Sequence, residues 1–121
     1  MTWSRAKSQI AARIQVGTDL NTVKSSNRFV VNLRNDISSK RYGYNNEDGF
    51  GVRIGSTSSI SIPFSMLKAC YGALSNRTGY DGTFFRANFS KQATDHPCHV
   101  HVVGQILVKA GLAAQHGNSY R

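Results

Sequence analysis

Apolar positions along the 121-residue chain follow two periods, and each predicts its own kind of element. Trp3, Ala6, Ile10 and Ile14 recur at helical spacing, with Thr2 placed to cap and Gly17 just past the end, so residues 3–14 predict a short amphipathic helix. Arg5, Gln9 and Arg13 fall four apart on its other side, a stripe that reads either as a solvated face or as one turned to an anion. Between Arg28 and Arg34 the period becomes two. Phe29, Val31 and Leu33 alternate with Val30, Asn32 and Arg34, which predicts a half-buried strand whose outer face is basic. Phe50, Val52 and Ile54, then Ile60 and Ile62, predict two more strands, the last ended by Pro63. Asp48-Gly49 is the strongest hairpin signal, and the turn-rich stretch from Asn35 to Gly49 reads as a loop carrying Lys40, Arg41, Tyr42 and Tyr44.

After Pro63 the helical period returns. Phe64, Leu67, Cys70 or Tyr71, and Leu74 predict a mostly buried helix, and Thr83 can cap a brief one through Phe89, preferred over a fourth strand. Residues 97–110 predict the longest C-terminal helix: Asp95 or His96 can cap it, Pro97 suits its first turn and Gly111 suits the position after its end. Val100, Val103, Leu107 and Ala110 make its apolar side, while Cys98, His101, Gln105 and Lys109 gather in a narrow polar stripe read as facing outward. The tail from Gln115 to Arg121 has too little apolar content to predict an ordered element. The fold class is therefore α+β: a small antiparallel three-stranded sheet with an N-terminal helix and a C-terminal group of helices in one domain.

Charge changes the picture most. Fifteen Lys and Arg against six Asp and Glu give a net charge of +9, which makes a polyanion the first partner to consider. No apolar run reaches the roughly 20 residues of a membrane span, and charges occupy the place of a signal peptide's apolar core, so a cytoplasmic, soluble protein with no membrane partner is expected. Cys70 and Cys98 have no framework spacing; a reduced compartment is the simpler assumption, with a single disulfide left open.

The basic-aromatic sequence Lys40-Arg41-Tyr42-Gly43-Tyr44 can hold phosphates while stacking on exposed bases, and Arg28, Arg34 and Arg53 can extend the same surface. His96, Cys98, His99 and His101 beside Asp95 are dense potential ligands, but only two can converge from one helix and no second pair has zinc-finger spacing, so no metal is expected. The six acids are scattered, and neither phosphate-loop glycine spacing nor a nucleophile elbow is present. A non-enzymatic protein without a cofactor follows, with RNA cleavage through His99 or His101 as a minor alternative that lacks a partner base.

VVGQILVKAGLA, following PFSMLKACYGAL and FFRANF, resembles the third helix of a winged-helix or helix-turn-helix domain over residues 63–113. The resemblance implies that this helix enters the major groove of duplex DNA, with Cys98, His101, Gln105 and Lys109 on the reading face. Too few residues follow Leu112 for the usual wing, so a wing would have to come from the earlier sheet, at the Lys40 to Tyr44 loop. Duplex DNA is thus favoured over RNA as partner. Two other readings stay open: a small phage or mobile-element inhibitor that binds a protein partner, and an RNA-binding module using Tyr42 and Tyr44.

Overall fold

The computed structural model describes residues 1–121 throughout. Helix α1 (Trp3–Arg13) starts where expected, with the Thr2 hydroxyl accepting from the Arg5 amide at 3.3 Å. Ala6, Ile10 and Ile14 are fully buried, and Trp3 packs beside Tyr71 with ring centroids 5.9 Å apart. Strands β1 (Phe29–Ser39), β2 (Tyr44–Arg53) and β3 (Ser59–Pro63) form the antiparallel sheet in the order β1-β2-β3. Pro63 ends β3 and leads directly into α2 (Phe64–Ala73). Three more helices follow: α3 (Gly82–Asn88), α4 (Ser90–Asp95) and α5 (His99–Lys109). The chain is α+β, with one core cluster drawing on α1, the sheet, all the later helices and the C-terminal residues.

Three expectations about the sheet and its hairpin are corrected, the first being the Asn35–Gly49 loop, most of which is strand because β1 runs on to Ser39 and β2 begins at Tyr44. Phe29, Val31 and Leu33 are not the inward set of β1: they are 38%, 36% and 55% exposed, whereas Val30 is fully buried. Val30 faces Val52 and Asn32 faces Gly51, so Val31 is an extra residue that breaks the alternation. No helix packs extensively on β1; α2 covers β2 and β3, and even Leu33, opposite the buried Phe50, stays open to solvent on the edge strand. The hairpin turn is also misplaced by its local signal. β2 runs straight through Asp48-Gly49, and the chain reverses at residues 40–43, with Gly43 at φ +76°. Gly49 instead serves close packing, since a Cβ there would fall on the Ile62 carbonyl of β3.

The helical region holds two more differences. Asp81, not Thr83, caps α3, its carboxylate accepting from the Phe84 amide at 3.0 Å. The α5 helix begins at His99 rather than Pro97, with neither Asp95 nor His96 as its cap, because α4 occupies the residues just before it. Its end matches the prediction: Gly111 at φ +77° lets the Leu112 amide donate to the Leu107 carbonyl at 2.9 Å and the Gly111 amide to Val108 at 2.9 Å. No helix is long and apolar enough to cross a membrane.

The tail is ordered, contrary to its composition. β4 (Gln115–His116) and β5 (Ser119–Tyr120) form a small hairpin, and Tyr120 exchanges backbone hydrogen bonds with Tyr80 at 2.8 and 2.9 Å. Its side chain is fully buried, because a single large ring with backbone pairing on both sides anchors a segment that otherwise lacks apolar residues.

Candidate nucleic-acid interface

The tail decides what α5 can present. Gln105, expected on an outward reading face, is only 5% exposed. Its amide donates to the Gln115 side-chain oxygen at 2.9 Å and lies 3.5 Å from the Tyr120 hydroxyl. Cys98 and His101 are half-buried, and of the predicted stripe only Lys109 is exposed. Two of the four, His101 and Gln105, are taken up in a hydrogen-bond network with the hairpin, so the stripe does not form a convex face for a major groove. The one local sign of this cover is Gly104 in the middle of an apolar helix. A Cβ there would lie under 3.0 Å from three carbons of the Tyr120 ring.

Beside the network lies a cleft of about 410 Å³ bordered by Thr22, Lys24, Ser25, Arg28, His101 and Gln115. Its floor and its loop are both tied down. The Asp19 carboxylate accepts from the Asn21 amide at 2.7 Å, the Asn21 side chain accepts from the Arg28 amide at 2.8 Å, and the Thr22 and Ser25 hydroxyls meet at 2.8 Å. The Tyr120 hydroxyl sits 2.8 Å from His101 Nδ1, and its other neighbour, the Gln105 amide, is itself a donor. His101 Nδ1 is therefore the only acceptor for the Tyr120 proton, which assigns the imidazole proton to Nε2. Burial lowers the His101 pKa, and the nearby Arg28 and Lys24 charges lower it further, so the ring is neutral at pH 7. Nε2 has no protein partner, and no buried side-chain nitrogen or oxygen lacks one, so this N–H opens to solvent. With no carboxylate in its lining, the cleft offers two cations and a neutral donor to an anion.

The other predicted site residues are held elsewhere. Arg41 is not a free phosphate anchor: its Nε and Nη2 donate to the Asp95 carboxylate at 2.6 and 2.8 Å, and the Tyr42 hydroxyl donates to the same group at 2.5 Å. The Arg41 and Tyr42 hydrogen bonds hold the Asp95 pKa down to about 2. Tyr44 accepts from Gln92 at 2.9 Å, and burial pushes its pKa up to about 12. The Lys40–Tyr44 turn is pinned rather than loose, with Lys40 left exposed on it. Arg13 is not turned to an external anion either. It donates with Gln9 to the Ala110 carbonyl, at 3.3 and 2.7 Å, and so satisfies the C-terminal end of α5; Arg5 is exposed. Lys24, Gln115 and Tyr120 were not legible as site residues, because only the folded tail and the 19–28 loop bring them to His101.

Thirteen of the fifteen Lys and Arg side chains have no carboxylate within 4.0 Å, the exceptions being Arg34 with Asp36 and Arg41 with Asp95. No group of three or more His, Cys, Asp or Glu side chains converges as a metal site. His101 turns to the tail, Asp95 to Arg41, and His99 to the core against Phe85, with ring centroids 5.7 Å apart. Cys70 and Cys98 are both free thiols. No family model matches the chain, and no curated protein or solved structure matches it.

Proposed function

We propose that the protein is a non-enzymatic nucleic-acid-binding protein that grips the phosphate backbone, with the His101 cleft as a phosphate seat. The observation that carries this reading is the convergence of Lys24, Arg28 and the His101 Nε2–H on one concave surface without a carboxylate. Lys and Arg supply the long-range attraction, and the neutral imidazole adds a directed hydrogen bond. Buried Gln105 argues for backbone positioning over base-edge readout by α5. The test is fluorescence anisotropy with labelled duplex DNA, single-stranded DNA and RNA across a salt series. Engagement of about five phosphates gives a slope of log K against log salt near −4 to −5 on duplex, and Lys24→Gln or Arg28→Gln each reduces it by about 1. A slope near zero, or variants that bind as the parent does, refutes the cleft as the seat.

The exposed Phe29, Val31 and Leu33 of β1 favour a second reading, in which the basic domain docks on a protein partner of a nucleic-acid-handling machine. Under it, Leu33→Ser abolishes partner co-purification and leaves nucleic-acid binding unchanged.

A further inference from the structure

A second cavity, of about 240 Å³, lies at the other end of β1, bordered by Ser39, Tyr42, Tyr44, Ser61, His96 and His99 among others. His99 and His101 are two positions apart on α5 and so point to opposite sides of it, which separates this cavity from the phosphate cleft. Its lining contains no Lys, Arg, Asp or Glu.

The hydrogen-bond inventory gives the cavity a definite chemistry. His99 is 2% exposed, and its Nδ1 lies 2.8 Å from the His96 carbonyl, which can only accept. The proton therefore resides on Nδ1, and burial lowers the pKa so that the ring is neutral at pH 7. Nε2 is left as a lone-pair acceptor without a protein partner, and it is not sealed in the core, since no buried side-chain nitrogen or oxygen goes unpartnered. The Ser39 and Ser61 hydroxyls accept from the Tyr42 amide at 3.2 Å and from Arg34 at 2.7 Å, and each keeps its own proton to donate. Tyr42 and Tyr44 direct their hydroxyls to Asp95 and Gln92, neither of which borders the cavity, so their rings form the wall, with centroids 5.5 Å apart.

The geometry points to a pocket for one unstacked nucleobase, with His99 Nε2 accepting from a base N–H or amino group, serine hydroxyls donating to its acceptors, and the tyrosine rings against its face. A charged ligand would be desolvated without a countercharge. The volume falls below the roughly 300–1,000 Å³ of sites that enclose drug-sized ligands, which suits a single ring system with its sugar and phosphate left outside. The arginines nearest the rim, Arg34 and Arg41, are already paired with Asp36 and Asp95, so the base and not its phosphate has to carry recognition. The inference rests on the nucleic-acid reading and sharpens it, because a base can enter only from a single strand, loop or bulge.

The test is a long-range ¹H–¹⁵N spectrum of the histidine rings during titration with AMP, CMP, GMP and UMP at millimolar concentrations, with ribose 5-phosphate as the base-free control. At least one nucleotide is expected to move the His99 Nε2 resonance, and ribose 5-phosphate to leave it in place. Ser61→Ala, which keeps His99 and the core, should weaken that nucleotide roughly three- to tenfold, as expected for one hydrogen bond. Equal shifts from ribose 5-phosphate, or nucleotide shifts confined to His101, overturn the pocket. An abasic oligonucleotide separates the two proposals: binding as tight as that of the base-bearing strand overturns the base pocket and leaves the phosphate seat standing. Loss of all polymer binding overturns the seat, while the mononucleotide titration still decides the pocket.

Discussion

Gly104→Ala is a substitution whose sign depends on the tail. In a helix interior, replacing Gly by Ala ordinarily stabilises by about 0.5–1 kcal/mol. At Gly104 the added methyl would sit under 3.0 Å from three carbons of the Tyr120 ring, far inside the 3.5–4.0 Å of an optimal carbon–carbon contact. The ring cannot step aside cheaply, because Tyr120 is fully buried, paired through its backbone with Tyr80 and bonded to His101. Overpacking of this kind costs about 1–3 kcal/mol, so the net effect is a loss of roughly 0.5–2 kcal/mol. In a Tyr120→Leu background, which removes the clashing ring carbons, the same change should stabilise by about 0.5–1 kcal/mol, a coupling of roughly 1–3 kcal/mol between the sites. Urea unfolding of the four proteins at pH 7, followed by circular dichroism, measures each term. Gly104→Ala should also weaken oligonucleotide binding, since Tyr120 holds the His101 ring. If it stabilises equally in both backgrounds, the packing of the tail on α5 described above is wrong.

Other predictions test separate parts of the structure. Gln105→Ala should remove the side-chain hydrogen bond to Gln115 and cost about 0.5–1.5 kcal/mol of stability without altering sequence preference, whereas a base-reading glutamine would show the reverse; paired unfolding and binding assays decide. His99 and His101 both have lowered pKa values, burial being the first cause, so below about pH 6.5 the unfolded chain binds protons that the folded chain does not. Stability should fall from pH 7 to pH 5 and stay level from pH 7 to pH 8; calorimetry at fixed ionic strength that shows no fall contradicts the burial of these rings. Asp95, with its pKa held down to about 2, stabilises the fold above the ordinary carboxylate range, and this contribution should be lost as pH drops through about 2. Asp95→Asn should release the Lys40–Tyr44 turn and speed tryptic cleavage after Arg41; an unchanged rate refutes the pinning. Val30→Ala should cost about 1.5–3 kcal/mol and Leu33→Ala far less, the opposite of what strict alternation in β1 requires.

Local signals were sufficient where a single element decides its own geometry. The Thr2 cap, the α1 spacing, Pro63 as a stop and Gly111 as the turn out of α5 are all readable because hydrogen bonds within a few residues set them. The α+β class followed from the change of period at Pro63. Face assignment failed where one residue shifts a register: the extra Val31 turns Val30 inward, and nothing in RFVVNLR marks that bulge. The Asp48-Gly49 signal failed because Gly49 meets a need for close approach to β3 that looks in sequence like a need for a turn.

The site shows the same division. A strongly basic chain, histidines clustered near residue 100 and one polar α5 stripe are all legible without a structure, since composition and helical period are properties of the chain alone. What that stripe faces depends on segments distant in the chain. Tyr120, fifteen residues beyond Gln105, returns over α5 and converts an outward row into a buried network, while the 19–28 loop brings Lys24 and Arg28 to His101. The physical reason is that burial depends on what covers a side chain, and the cover here comes from segments whose own composition gives no sign of order.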